Sequence, residues 1–233
     1  MHYQIAIDGP SGAGKSTIAK ALAARLGIVY VDTGALYRTI GYYVRQKEVD
    51  PKSPDAVTAL LPEISVKVAY ENGTQRVYLN GEDLGDKIRT PEMSLYASAV
   101  SAIPAVRTFL LETQKKLARE NSVIMDGRDI GTVILPDADV KIFLTASIEA
   151  RAQRRYLELT AKGQDVRYED VLREMQERDG NDRNRKVAPA IPAEDAIHLD
   201  NSKLTAEESV NAMLEIVAKK LPAVFLPDTM GDK

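Results

Sequence analysis

Residues 5–17 read Ile5-Ala6-Ile7-Asp8-Gly9-Pro10-Ser11-Gly12-Ala13-Gly14-Lys15-Ser16-Thr17. A short apolar strand candidate, Tyr3–Asp8, runs into a glycine-rich turn. Lys15–Leu26 follows as a helix, with Ile18, Leu22 and Leu26 on one face and Gly27 as its stop. Gly9 to Ser16 matches G-x-x-x-x-G-K-[ST] without a gap and in the strand–turn–helix context the motif requires. Glycines let the backbone fold into a nest of N–H groups, and the helix N-terminus adds partial positive charge, so the loop suits phosphate. Lys15 is placed for the β- and γ-phosphates and the Ser16 hydroxyl for Mg²⁺. The expectation is a binder of a nucleoside triphosphate.

From this loop outward the chain keeps an α/β rhythm. Ile28–Val31 is a second strand, followed by a helix from about 35 to 46; Val123–Met125, ending at Asp126, and Val140–Leu144 are further strands. Helices are expected at about 92–102, 104–120, 148–159, 168–178 and 206–221, with a last short strand at Ala196–Leu199. The pattern predicts an open parallel sheet flanked by helices, a three-layer α/β fold with a central parallel five-stranded sheet. Between Pro62 and Pro91 the period changes to two: Ile64–Tyr70 alternates, Glu71–Thr74 turns, and Gln75–Leu79 returns, with Asn80-Gly81 opening a turn to a third strand. We expect residues 63–90 to be an inserted antiparallel subdomain within a core domain of residues 1–62 and 91–221. A helical lid at 151–187 and a C-terminal tail at 222–233 complete the expected layout.

The 233 residues include 31 basic and 34 acidic ones, a net charge of −3, and no cysteine. This length supports one or two domains. Absent cysteine excludes disulfide scaffolds, thiolate zinc and iron–sulfur sites. The mildly acidic balance speaks against nucleic-acid partners. The N-terminus lacks a basic leader, and no stretch approaches the roughly 18 apolar residues of a membrane span. The expectation is a cytoplasmic protein without a membrane partner, working as a monomer. The apolar patch Leu221–Leu226 reads as a packed tail or an oligomer contact.

A guanine-reading N-K-x-D is not met; the nearest text, Asn201-Ser202-Lys203-Leu204, lacks the Asp. A motor or helicase requires more chain. A small-molecule kinase remains the leading class, because transfer between two anionic substrates needs many positive charges at once. Eight of 16 arginines fall in residues 151–185, interleaved with eight carboxylates. A salt-bridged helical hairpin explains such a run equally simply. Beside a phosphate loop, a lid closing over the donor is the better reading. Asp32-Thr33-Gly34 with Arg38, and Gly127-Arg128-Asp129, follow strand ends and so face the site. For Asp126 a turn carboxylate, and for Arg128-Asp129 a structural ion pair, are the plainer alternatives. His2 sits in the start and His198 in a buried-type strand, neither placed for catalysis.

Together these motifs give the chain a family likeness. Residues 7–17, 32–38 (DTGALYR), 81–92, 102–107, 126–147 and 178–196 (RDGNDRNRKVAPAIPAEDA) resemble bacterial cytidylate kinases, P-loop nucleoside-monophosphate kinases that pass a phosphoryl group from ATP to CMP or dCMP. The resemblance implies an ATP site at Gly9, Pro10, Ser11, Gly12, Ala13, Gly14, Lys15, Ser16 and Thr17, with Arg154 and Arg183 serving the lid and the ATP side. It implies a CMP site at Thr33, Arg38, Ser98, Arg107, Arg128, Asp129, Arg178, Asp182 and Arg185. Asp182 would meet the pentose hydroxyls; Lys15, Arg128, Arg178 and Arg185 would carry catalysis, with Mg²⁺ on Ser16. Another small acceptor (UMP, AMP or one resembling shikimate) and a nucleotide-switch binding module are the rival readings.

Overall fold

The computed structural model describes residues 2–71 and 73–222. Strands β1 (Gln4–Asp8), β2 (Val29–Asp32), β6 (Val123–Gly127), β7 (Val140–Thr145) and β8 (Ile197–Asp200) form one parallel sheet in the order β2-β6-β1-β7-β8. β3 (Val66–Glu71), β4 (Thr74–Leu79) and β5 (Glu82–Asp83) form a separate antiparallel sheet, so the expected architecture stands. The helices are α1 (Lys15–Leu26), α2 (Thr33–Gln46), α3 (Pro54–Leu60), α4 (Pro91–Val100), α5 (Pro104–Glu120), α6 (Ile148–Ala161), α7 (Tyr168–Asn184) and α8 (Ala206–Lys220).

Parallel register brings the carboxyl ends of the strands level. Asp8 lies opposite Gly127, and Asp32 opposite Asp126, so three acidic residues crowd one sheet edge above β1, β2 and β6. Apolar strand residues Ile5, Ile7, Ile124, Ile142 and Leu144 are buried against α1 and α8 on one face. Ala6, Val31 and Met125 pack on the other face, against the end of α5 and a π-helical turn at Ile130–Ile134. Each such aliphatic side chain removed from water contributes roughly 1.5–3 kcal/mol, which makes the sheet a stable platform for its loops.

Local chemistry sets the helix ends. Asp32 caps α2 by accepting the Ala35 N–H at 2.9 Å. Thr90 caps α4 with Pro91 next in line, and Thr205 with Glu208 makes a reciprocal capping box at α8. α1 has no side-chain cap: left-handed Gly14 opens it, leaving its first N–H groups free for a ligand.

Three expectations are corrected. α7 runs six residues past 178, because Asp182 on its last turns is buried against the site. α3 appears between Ser53 and Leu61, where no helix was expected. His198 is exposed rather than buried, since β8 is an edge strand; it leans on the Phe143 ring at 5.5 Å. Of the expected tail, 223–233 lie outside the described residues, as does most of the Leu221–Leu226 patch. Among the described residues no single helix is long and apolar enough to cross a membrane; α4 and α5 reach that length only jointly and are bent by 103°.

Candidate active site

One cleft of about 710 Å³ opens above the strand ends, lined by the phosphate loop, the start of α2, α4, the end of β6, and α6–α7. At its base the loop is shaped by close approach. A Cβ on Gly9, whose φ is +147°, would overlap the Leu144 carbonyl of β7, so this position accepts only glycine. Gly12 lies beneath Met175 of α7, whose methyl a Cβ would meet at 2.6 Å. Lys15 is buried and donates one of its three protons to the Pro10 carbonyl at 2.7 Å. Burial, with Arg128 nearby, pulls its ammonium well below the usual lysine range; Asp126 and Asp8 counter that pull.

Asp126 is where the sequence said least and the structure says most. Its Oδ2 accepts the Ser16 hydroxyl at 2.8 Å and its Oδ1 the Tyr30 hydroxyl at 2.7 Å. Burial and neighbouring Asp32 raise its pKa. This is no simple turn carboxylate: it faces the phosphate loop across the sheet edge. Ser16 and Asp126 together offer the hard oxygen donors a Mg²⁺ ion prefers, with phosphate and water left to complete its shell. Among the described residues no group of three or more His, Cys, Asp or Glu is placed to hold a metal ion.

Asp8 is buried and accepts the N–H groups of Ile130 and Gly131, each at 2.8 Å, tying β1 to the π-helical turn beyond Asp129. Burial outweighs these two bonds and pushes its pKa up to about 6.

Arg128 and Asp129 do not pair with each other. Asp129 lines the cleft, as its place after a strand end suggests, and is only 4% exposed. It holds Arg107 of α5 in a short ion pair and Arg185 at 3.4 Å; both arginines also reach Ser101, and Arg107 lies over the Tyr37 ring. Arg128 pairs with Asp182 at 3.1 Å. Burial would raise Asp182, but Arg128, Arg178 and Arg185 together hold its carboxyl below the usual range. Burial and Arg128 draw Arg178 down to about 10, and its Nε has no partner. Burial, then Arg107, also lowers Arg185.

Thr33 lines the cleft while its hydroxyl donates to the Asp126 carbonyl at 2.7 Å. Arg38 and Ser98 line it too. Arg154 faces a second hollow of about 280 Å³ beside Gly12, Gly14 and Thr17, and grips Asn201 at 3.1 and 2.7 Å. Arg183 is exposed and lines neither space, so the fold does not bring it to the others. Arg151, not singled out from the sequence, binds the Ser11 carbonyl at 2.9 Å and Asp179 at 2.6 Å, joining the lid to the phosphate loop. Its burial carried no sequence signal, whereas Asp126 ends an apolar strand beside a phosphate loop and could have been found.

A family model described as Cytidylate kinase matches residues 5–219. The chain belongs to the cytidylate kinase family. A curated cytidylate kinase of Fervidobacterium nodosum is 50% identical over 220 residues, 94% of this chain and 98% of that one. The cytidylate kinase of Geobacter sulfurreducens is 47% identical over 216 residues, 93% of each chain. Among solved structures, an uncharacterized protein from Eubacterium ventriosum covers 92% of this chain and 97% of its own at a TM-score of 0.52 and 14% identity, a likeness of fold alone. As a cytidylate kinase the chain is an enzyme, and its chemistry is phosphoryl transfer to CMP or dCMP.

Proposed function

We propose that the cleft holds both nucleotides at once, ATP on the phosphate loop and CMP or dCMP between Arg38 and Asp129, for direct in-line transfer. One observation carries this reading: a single cavity joins a phosphate loop to Arg38, Arg128, Arg178 and Arg185, with the polar group Asp129–Arg107–Arg185–Ser101 at its far end. The acceptor is already an anion, so no strong base is required. Alignment and charge stabilisation suffice.

On this reading Lys15 and the loop N–H groups bind the donor phosphates, and Arg154 beside the second hollow serves the rest of the donor. Arg128, Arg178 and Arg185 gather charge around the transferring group. Arg178, with its unpartnered Nε, is the most directly available. Thr33, Ser98, Arg107, Asp129 and Asp182 orient the acceptor. Ser16, beside Asp126, would hold Mg²⁺, which when bound neutralises charge on the β- and γ-oxygens. Residues 63–90 are then an acceptor-side insert and 151–187 a lid. Both nucleotide sites come from one chain, which supports action as a monomer. Coupled assays with CMP, dCMP, UMP, AMP and shikimate test the reading. A cytidine nucleotide should turn over fastest, and faster turnover of any other acceptor refutes the assignment.

A further inference from the structure

The strand β2 is an edge of the central sheet, paired only with β6. Its last residue, Asp32, turns both of its main-chain polar groups outward. The Asp32 N–H donates to Gln75 Oε1 at 2.8 Å, and Gln75 Nε2 donates back to the Asp32 carbonyl at 3.1 Å. Gln75 stands on β4, opposite Tyr70 in the inserted hairpin. One primary amide thus reproduces the two-bond exchange that a neighbouring strand would make. Among neutral side chains only Gln and Asn carry a donor and an acceptor in that fork, and Asn is a methylene shorter.

What the amide grips is as telling as how. The Asp32 carboxylate caps α2 through Ala35 N–H and accepts Arg38 Nη2 at 2.8 Å. The guanidinium folds over Gly34, where a Cβ would lie 3.0 Å from Nη1. Arg38 Nε is buried without a partner. A continuous chain therefore runs from the inserted hairpin through the Asp32 peptide and carboxylate to an arginine with donors to spare.

We propose that Gln75 is a positioning residue for acceptor binding. Its amide locks the inserted hairpin to the sheet edge and thereby fixes the Asp32–Arg38 pair in the orientation that receives the acceptor phosphate. The proposal rests on the reading above that CMP lies between Arg38 and Asp129, and adds to it that Arg38 takes the phosphate end. Gln75 touches no substrate itself. It acts by removing freedom that the acceptor would otherwise have to remove on binding.

The test replaces the fork while keeping the stem. Gln75→Met should weaken CMP binding to the full-length enzyme by about five- to tenfold, the equivalent of one or two lost hydrogen bonds. Calorimetric ATP affinity should stay within about twofold. Hydrogen exchange at the Asp32 amide should accelerate about tenfold, while amides of the central strands β1 and β6 stay protected. Gln75→Asn, which keeps the amide but cannot reach both groups, should behave like Gln75→Met and serves if that variant folds poorly. Unchanged Asp32 exchange, or faster exchange with unaltered CMP affinity, overturns the proposal. So does an equal loss of ATP and CMP affinity with a lowered Tm, which marks a merely structural role. If the unaltered enzyme fails to bind CMP, the functional reading falls instead, and the Asp32 exchange still decides whether the tie exists.

Discussion

The two walls of the cleft are built from different materials. On the proposed reading the acceptor wall is α2 to α5 with the inserted sheet, organised by eighteen buried apolar residues, among them Leu36, Ile40 and Val44 of α2, Val100 of α4 and Leu110 of α5. The opposite wall, α6 and α7, buries four: Ala152, Leu159, Val171 and Met175. Its surface is strung instead with ion pairs such as Arg155–Glu158, Lys162–Glu158 and Arg167–Asp170. Exposed pairs of this kind contribute little stability, whereas apolar burial contributes much. One wall is thus rigid and the other is poised to open at low cost. On the proposed reading, specificity benefits from the first, and exclusion of water at the moment of transfer from the second.

The largest effect should come where the walls meet. Lys15→Ala should cut turnover by about 10²- to 10³-fold or more while leaving the Tm within a few degrees. A variant with near-normal rate would remove the phosphate loop from the mechanism. The comparison itself is broken or kept by a matched pair of truncations. Leu110→Ala in the acceptor wall should cost about 2–5 kcal/mol of global stability, read as one cooperative shift in denaturant unfolding. Val171→Ala in the lid should leave that midpoint nearly unchanged and speed hydrogen exchange within residues 148–184 only. Equal global losses would mean that the walls do not differ.

A smaller effect belongs to the sheet that both walls lean on. Asp8, pushed up to about 6 from the ordinary carboxylate range near 4, adds stability that is fully present below about pH 4 and is lost as pH rises through 6. Relative to Asp8→Asn, the native protein should therefore lose up to about 3 kcal/mol across that window in melts taken at successive pH values. A constant difference between the two proteins would show that Asp8 does not titrate there. The smallest expected effect is Arg167→Ala: loss of its exposed pair with Asp170 should alter neither rate nor Tm measurably.

Where chemistry is local, the sequence was enough to read it. The phosphate loop, the strand–helix alternation and the Asn-Gly hairpin follow from neighbouring residues, and Pro104 marks the start of α5 to the residue. Even α3 was signalled by Ser53-Pro54-Asp55, a cap and an N1 proline that the eye passes over. Gly180 is a signal of the opposite sense. It reads as a stop, yet it sits inside α7 where a Cβ would meet nothing, and burial of Asp182 carries the helix onward. What stayed illegible is pairing. The sequence offers Asp129 beside Arg128, but the fold gives Asp129 to Arg107 and Arg185, and Arg128 to Asp182. Partners 22 to 56 residues apart are set by strand order and helix packing, which no local pattern encodes.

Those pairings bear on how long a nucleotide stays. Arg107, Arg185 and Arg128 are already satisfied by protein carboxylates. On the proposed reading, an arriving CMP therefore exchanges partners rather than neutralising bare charge. Its affinity is the difference between two sets of good contacts, a small quantity by construction. The same holds for the diphosphate it becomes, whose departure is assisted as Asp129 and Asp182 reclaim their arginines. On that reading the internal carboxylates act as built-in competitors, shortening the residence of the acceptor and of its product and keeping the cycle from stalling.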